Sequence, residues 1–225
     1  MKKITLLLII FIISTLPTFS QQKENKESSL IRLARVKYSG GGDWYVDPSS
    51  EVNLLNYVKK NTNIPVAAVY EYVDLASDNL FSYPILFLTG HGNMKLTDRE
   101  VRNLRAYLDN GGFLYVDDDY GLDNFIRREM KVVFPDDKFV ELPYSHGIFH
   151  SHFKFEKGVP KIHEHDSKVP QTFGLFRNGR LCILYTYESN PSDGWADKEV
   201  HPNPEDKREL AMQFGVNIIV WALSN

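Results

Sequence analysis

Apolar and polar positions follow two rhythms along this chain, and the changes from one to the other mark out strands and helices. Ile31 to Tyr38 alternates apolar residues with Arg and Lys, as a strand does, and runs into Ser39-Gly40-Gly41-Gly42-Asp43-Trp44-Tyr45. Asn53 to Lys60 sets Leu54, Leu55 and Val58 on one helical face, and Ile64 to Tyr72 returns as a β-rich segment, which predicts a β-α-β unit. Ile85-Leu86-Phe87-Leu88 is a short continuous apolar run, suited to burial on both faces of a parallel sheet, and it ends in Thr89-Gly90-His91-Gly92. Thr97 to Asn110 reads as a helix with Thr97 and Glu100 as a capping box, a stripe of Val101, Leu104, Tyr107 and Leu108, and Gly111 as its stop.

Gly111 to Gly121 is the stretch around which the rest is organised. A glycine pair opens it, Phe113 to Val116 form a buried strand, and Asp117, Asp118 and Asp119 follow before the turn at Tyr120-Gly121. Leu122 to Val133 reads as a helix with Phe125, Ile126, Met130 and Val133 inward and Arg127, Arg128 and Glu129 outward. Beyond Glu141 a loop rich in histidine leads to a hairpin within Phe173 to Tyr187, turned at Asn178-Gly179, and Pro204 to Leu223 closes the chain as a helix. This order predicts an α/β fold: a doubly wound, mostly parallel sheet with helices on both faces, plus a C-terminal hairpin and helix.

Charge and composition add a compartment. Lys2, Lys3 and the apolar run Ile4 to Leu16 have the order of a secretory signal, so residues 1–20 are expected to be removed, 21–29 to be a flexible leader and 30–225 to form one domain. The expected location is the periplasm or the exterior, with no direct membrane insertion after removal. Loss of the two lysines leaves 24 basic residues against 29 acidic ones, a net charge of −5 that excludes a nucleic-acid binder. Cys182, the sole cysteine, lies in an apolar run and is expected to be a buried, inert thiol. No cofactor is indicated: the glycine loop matches neither phosphate-binding spacing, and Asp43 and Asp47 would repel phosphate.

The candidate chemistry gathers where strands end. Ligands of open α/β sheets bind beyond the carboxyl ends of the strands, which selects Asp117, Asp118, Asp119 and His91 as candidate catalytic groups. Their alternative is structural, with one carboxylate capping the next helix, one solvated and one paired with Arg127. Asp43, Trp44, Tyr45, Gly90, His91, Tyr120, Glu188 and Trp195 form a candidate ligand-binding set in which aromatic faces lie beside carboxylates, an arrangement that suits sugars. His150-Ser-His152 and His163-Glu-His165 are two His-x-His strings whose rings could share one side of an extended backbone and grip a metal.

Several strings together carry a resemblance: Ala34-Arg35-Val36-Lys37-Tyr38 with Gly40-Gly41-Gly42-Asp43-Trp44, Leu88-Thr89-Gly90-His91-Gly92, Gly111-Gly112-Phe113-Leu114, Asp117-Asp118, Arg127-Arg128-Glu129-Met130, and Pro143 with His146. The chain resembles the bacterial domain-of-unknown-function family 4159 over nearly its whole mature length. Longer members join this domain to membrane-anchored modules, which implies an envelope setting and a saccharide or a membrane-anchored envelope protein as partner. More distantly the chain resembles the class I glutamine amidotransferase-like fold, where a strand ends in a Cys-x-Gly elbow; here that string is Asp119-Tyr120-Gly121, without the nucleophilic thiol. The expected function is ligand or partner binding in an acidic, aromatic crevice. The alternative is hydrolysis by Asp117–Asp119 with His91, or by a metal held on histidine.

Overall fold

Successive residues of a strand point to opposite faces, so a strand buried on both sides must feed two separate cores. The computed structural model describes residues 29–225, and the expected signal and nearly all of the leader lie outside the described residues. Its strands are β1 (Leu33–Lys37), β2 (Tyr72–Asp74), β3 (Ile85–Leu88), β4 (Phe113–Asp117), β5 (Val140–Glu141), β6 (Gln171–Arg177) and β7 (Arg180–Tyr187). Its helices are α1 (Ser50–Asn61), α2 (Asp98–Asp109), α3 (Asp123–Val133) and α4 (Glu205–Ser224). Leu86, Leu88, Leu114 and Val116 pack on one side with Leu104, Leu108, Ile126 and Met130 of α2 and α3. Ile85, Phe87, Phe113 and Tyr115 pack on the other with Leu54, Val58, Phe214 and Ile218 of α1 and α4. Two cores on a shared sheet make the doubly wound α/β sandwich.

The sheet runs β2-β1-β3-β4-β7-β6-β5. β2, β1, β3, β4 and β7 are parallel, while β6 and β5 pair antiparallel at one end. The chain moves outward from β1 to β2 and then returns to place β3 on the other flank of β1. The strand order therefore reverses between β1 and β3, and their loops diverge to leave a crevice. The hairpin turns at Asn178 and Gly179 with φ of 52° and 78°, the two left-handed residues of a type I′ turn. One hairpin strand, β7, reaches the centre of the sheet beside β4, and its carboxyl end joins the edge where the other parallel strands finish.

Local chemistry explains most of the boundaries. Thr97 and Glu100 form the capping box, and Gly111 at φ 104° lets the Gly112 N–H reach the Tyr107 carbonyl at 2.9 Å and close α2. The segment expected as a strand over Ile64 to Tyr72 makes an isolated bridge, Ile31 to Val66, and then leaves the ladder, because the Val69 N–H turns back to the Ala67 carbonyl at 3.0 Å; pairing with β1 resumes at Tyr72. Glu129, expected outward, is buried, accepting from the Leu96 N–H at 2.9 Å and from Arg128 Nε at 2.7 Å. Cys182 is fully buried against the Leu175 carbonyl, and burial pushes its thiol up to about 12. No helix among the described residues is long and apolar enough to cross a membrane.

Candidate functional site

Parallel strands finish on one edge, so loops distant in sequence meet there. The loop after β1 is fixed from beneath by Arg35, a fully buried β1 residue. Its guanidinium pairs with Glu51 of α1 and donates to the carbonyls of Trp44 at 3.0 Å and Val46 at 2.6 Å. After β3, Gly90 adopts φ 130°; a Cβ there would lie 2.6 Å from the Tyr38 hydroxyl and 3.0 Å from Asp43 Oδ1, so only glycine lets the two loops meet.

Where they meet, His91 is held against Asp43. The His91 backbone N–H donates to Asp43 Oδ1 at 2.5 Å, and the His91 Nδ1 lies 2.8 Å from Oδ2. Burial of the Asp43 carboxyl is outweighed by these hydrogen bonds, which hold it below the usual carboxylate range; an ionised carboxylate only accepts, so Nδ1 carries the proton. Asp119 Oδ2 approaches the same nitrogen to 3.7 Å. Burial acts to lower the His91 imidazole, but the charges of Asp119 and Asp43 raise it above its ordinary value.

The three consecutive carboxylates are all buried, and none is solvated or paired with Arg127, which instead binds Asp123. Asp117 accepts from Thr186 Oγ1 at 2.6 Å and from the Ser192 N–H at 2.8 Å, and its burial raises it to about 7. Asp118 accepts from the Leu122 N–H at 2.8 Å at the entrance to α3, with burial pushing it to about 6. Asp119 accepts from Asn190 Nδ2 at 2.7 Å and reaches the crevice. Tyr120 then takes a left-handed backbone, φ 79°, which throws its ring outward at 53% exposure.

The crevice, about 470 Å³, is lined by Val46, Asp47, His91, Asp119, Tyr120, His163, Glu164, His165, Val200 and His201. Four of the chain's seven histidines are here and no lysine or arginine, so its polar chemistry is carboxylate and imidazole. Behind its wall Asp193 is 1% exposed, with Oδ2 lying 2.9 Å from His163 Nδ1 and 3.5 Å from His201 Nδ1. His201 Nε2 lies 2.9 Å from Asp47 Oδ2. Burial, together with the charges of Asp119, Asp117 and Asp47, pushes the Asp193 carboxyl up to about 9.

The remaining sequence candidates fall elsewhere. Trp44 and Tyr45 cluster with each other and Trp44 with Tyr72, at centroid distances of 5.6 Å and 5.4 Å, and neither lines the crevice. Trp195 is a core residue: it packs on Phe87 and Tyr115, and its Nε1 donates to the Ala211 carbonyl. Glu188 is buried and taken up by Lys161 Nζ at 2.9 Å and the Asp166 N–H. Of the two His-x-His strings, His163 and His165 line the crevice, whereas His150 binds the Tyr144 carbonyl and His152 meets the Phe153 ring edge-on. Sequence reasoning missed Asp47, Asp193 and His201 as a group. They belong to three separate loops, and the one available signal was that β7, if parallel, would carry Asp193 to the edge.

A model of the family described as Domain of unknown function (DUF4159) matches residues 32–223, which include every strand and every crevice residue. The chain belongs to the DUF4159 family. No curated protein matches it in sequence. The DUF4159 fold here presents an elbow after β4 whose left-handed residue is Tyr120 rather than a nucleophile, with Asp119 before it and Gly121 after.

Proposed function

We propose that this DUF4159 domain is an exported binding module whose crevice holds a polar, hydroxyl-rich ligand of the saccharide class. The observation that carries the reading is the setting of Tyr120, an exposed ring beside the Asp119 carboxylate and in edge contact with His165 at 5.3 Å. A pyranose offers its C–H face to an aromatic ring and its hydroxyls to carboxylates and imidazoles, and the apolar Val46 and Val200 complete the wall. Export is supported by the order of Lys2, Lys3 and the apolar run after them. The test is a glycan array of bacterial envelope saccharides, followed by calorimetry with the best ligand. Tyr120→Ala is expected to weaken binding about tenfold or more, in line with the loss of a stacked aromatic. No glycan bound, or full affinity in Tyr120→Ala, would remove the reading.

The Asp43–His91 pair favours a second reading on the same site, hydrolysis of the bound saccharide. Asp43 fixes Nδ1, and Nε2 makes no hydrogen bond among the described residues, so the imidazole is oriented to accept a proton from water. His91→Asn would then abolish turnover while leaving saccharide affinity within a few-fold. Product formation at the same rate in the variant would refute it.

A further inference from the structure

Asp193 differs from the other buried carboxylates at the strand edge. Asp117, Asp118 and Asp119 each accept a hydrogen bond from a named donor, whereas neither oxygen of Asp193 meets a donor in good geometry although the residue is 1% exposed; the Asn190 amide, committed to Asp119 at 2.7 Å, is near enough only to oppose weakly the rise of the Asp193 carboxyl. A buried carboxylate left without donors is costly, so its shell is incomplete. The groups facing it are imidazoles and a second carboxylate. His163 Nδ1 sits 2.9 Å from Asp193 Oδ2, but not in line for a hydrogen bond. Asp47, Asp193 and His201 can each place one ligand atom within 4.8 Å of the others.

We propose that Asp47, Asp193 and His201 bind one divalent transition cation, with His163 as the fourth ligand. Ligand atoms about 2.0–2.2 Å from a common ion are separated by roughly 3–4.4 Å, so the spacing of Asp47, Asp193 and His201 needs only small side-chain adjustments, whereas His163, which touches Asp193 but lies outside that group of three, has to turn its ring toward the ion. Two carboxylate oxygens with two imidazole nitrogens suit Zn²⁺, Mn²⁺ or Fe²⁺ better than Ca²⁺ or Mg²⁺, which prefer all-oxygen shells. Two carboxylates also neutralise the ion's charge in a crevice without lysine or arginine. The site is assembled from the loop after β1, the turn Pro191–Gly194 after β7, and the loops holding His163 and His201, so the cation would tie together four segments of the carboxyl edge. The competing account is an imidazolium at His201 between two carboxylates, which takes up no metal. This proposal stands apart from the saccharide reading and is tested without any ligand.

The experiment uses untagged protein stripped with EDTA, dialysed and titrated with Zn²⁺ and with Mn²⁺ by calorimetry, with Co²⁺ as a spectroscopic probe. Expected are one equivalent of bound ion, at least a tenfold loss of affinity in both Asp193→Asn and His201→Gln, and unchanged affinity in His150→Ala. A Co²⁺ visible band should be lost in the same two variants. If Asp193→Asn fails to fold by circular dichroism, His201→Gln, at a partly exposed loop position, carries the test alone. No uptake after stripping, or uptake that His201→Gln leaves unchanged (an adventitious ion only), would overturn the proposal.

Discussion

Arg35→Met removes the residue on which the β1 loop is built. In the native domain Arg35 is fully buried and its Nη2 donates to Glu51 Oε2 at 2.7 Å, with both side chains shielded from water at 0% and 1% exposure. Deleting one partner leaves the other as an uncompensated buried charge, a loss of about 3–5 kcal/mol. Glu51 can relieve part of this loss only by taking up a proton: burial already raises its carboxyl and Arg35 is what opposes that shift, so the residual cost grows with pH. The carbonyls of Trp44 and Val46 lose their donors as well. Against a total stability of about 5–15 kcal/mol this is a large fraction. Arg35→Met with Glu51→Leu removes both charges, so most of the Glu51 component returns and a loss of about 1–3 kcal/mol remains from the unpaired carbonyls. Urea unfolding at neutral pH, read as the midpoint at constant slope, distinguishes the three proteins. The double variant should also bind the cation more weakly, because the backbone carrying Asp47 is no longer held. A single variant within about 1 kcal/mol of native, or a double variant no more stable than the single, would refute the argument.

Two further outcomes are expected. In EDTA, the stability contributed by the Asp117 carboxyl should fall as pH rises from 3.8 to about 7, by at most about 4 kcal/mol, because the unfolded chain releases this proton at the lower value and the folded chain keeps it to the higher one. Thermal melts across that window should show a smaller decline in Asp117→Asn, and parallel curves for the two proteins would contradict the burial of this group as its cause. The Cys182 thiol, at 0% exposure and raised to about 12, should react with a thiol reagent only on unfolding, and Cys182→Ser should keep fold and ligand binding; rapid labelling of the native protein would show the strand to be misplaced.

The periodicity of the chain was enough to determine its layers. Ile85-Leu86-Phe87-Leu88 has no polar residue to turn toward water, so it had to be covered on both faces, and the capped amphipathic helix after it could supply one of those covers. The asparagine-glycine hairpin was legible for the same local reason, since few other pairs accept two left-handed residues in sequence. His91 and Asp119 could be placed on one edge because each directly follows a parallel strand. What lay beyond reach depended on strand order and loop path, which follow from the joint packing of all elements rather than from any window of residues. Trp195 and Trp44 have similar acidic, glycine-rich neighbours, yet one fills the core and the other packs on Tyr72. Asp47, Asp193 and His201 are brought together only because β7 inserts beside β4 and α4 folds back beneath the sheet, so loops up to 154 residues apart in sequence share one charge-dense point at the crevice wall, where Asp193 alone is fully buried.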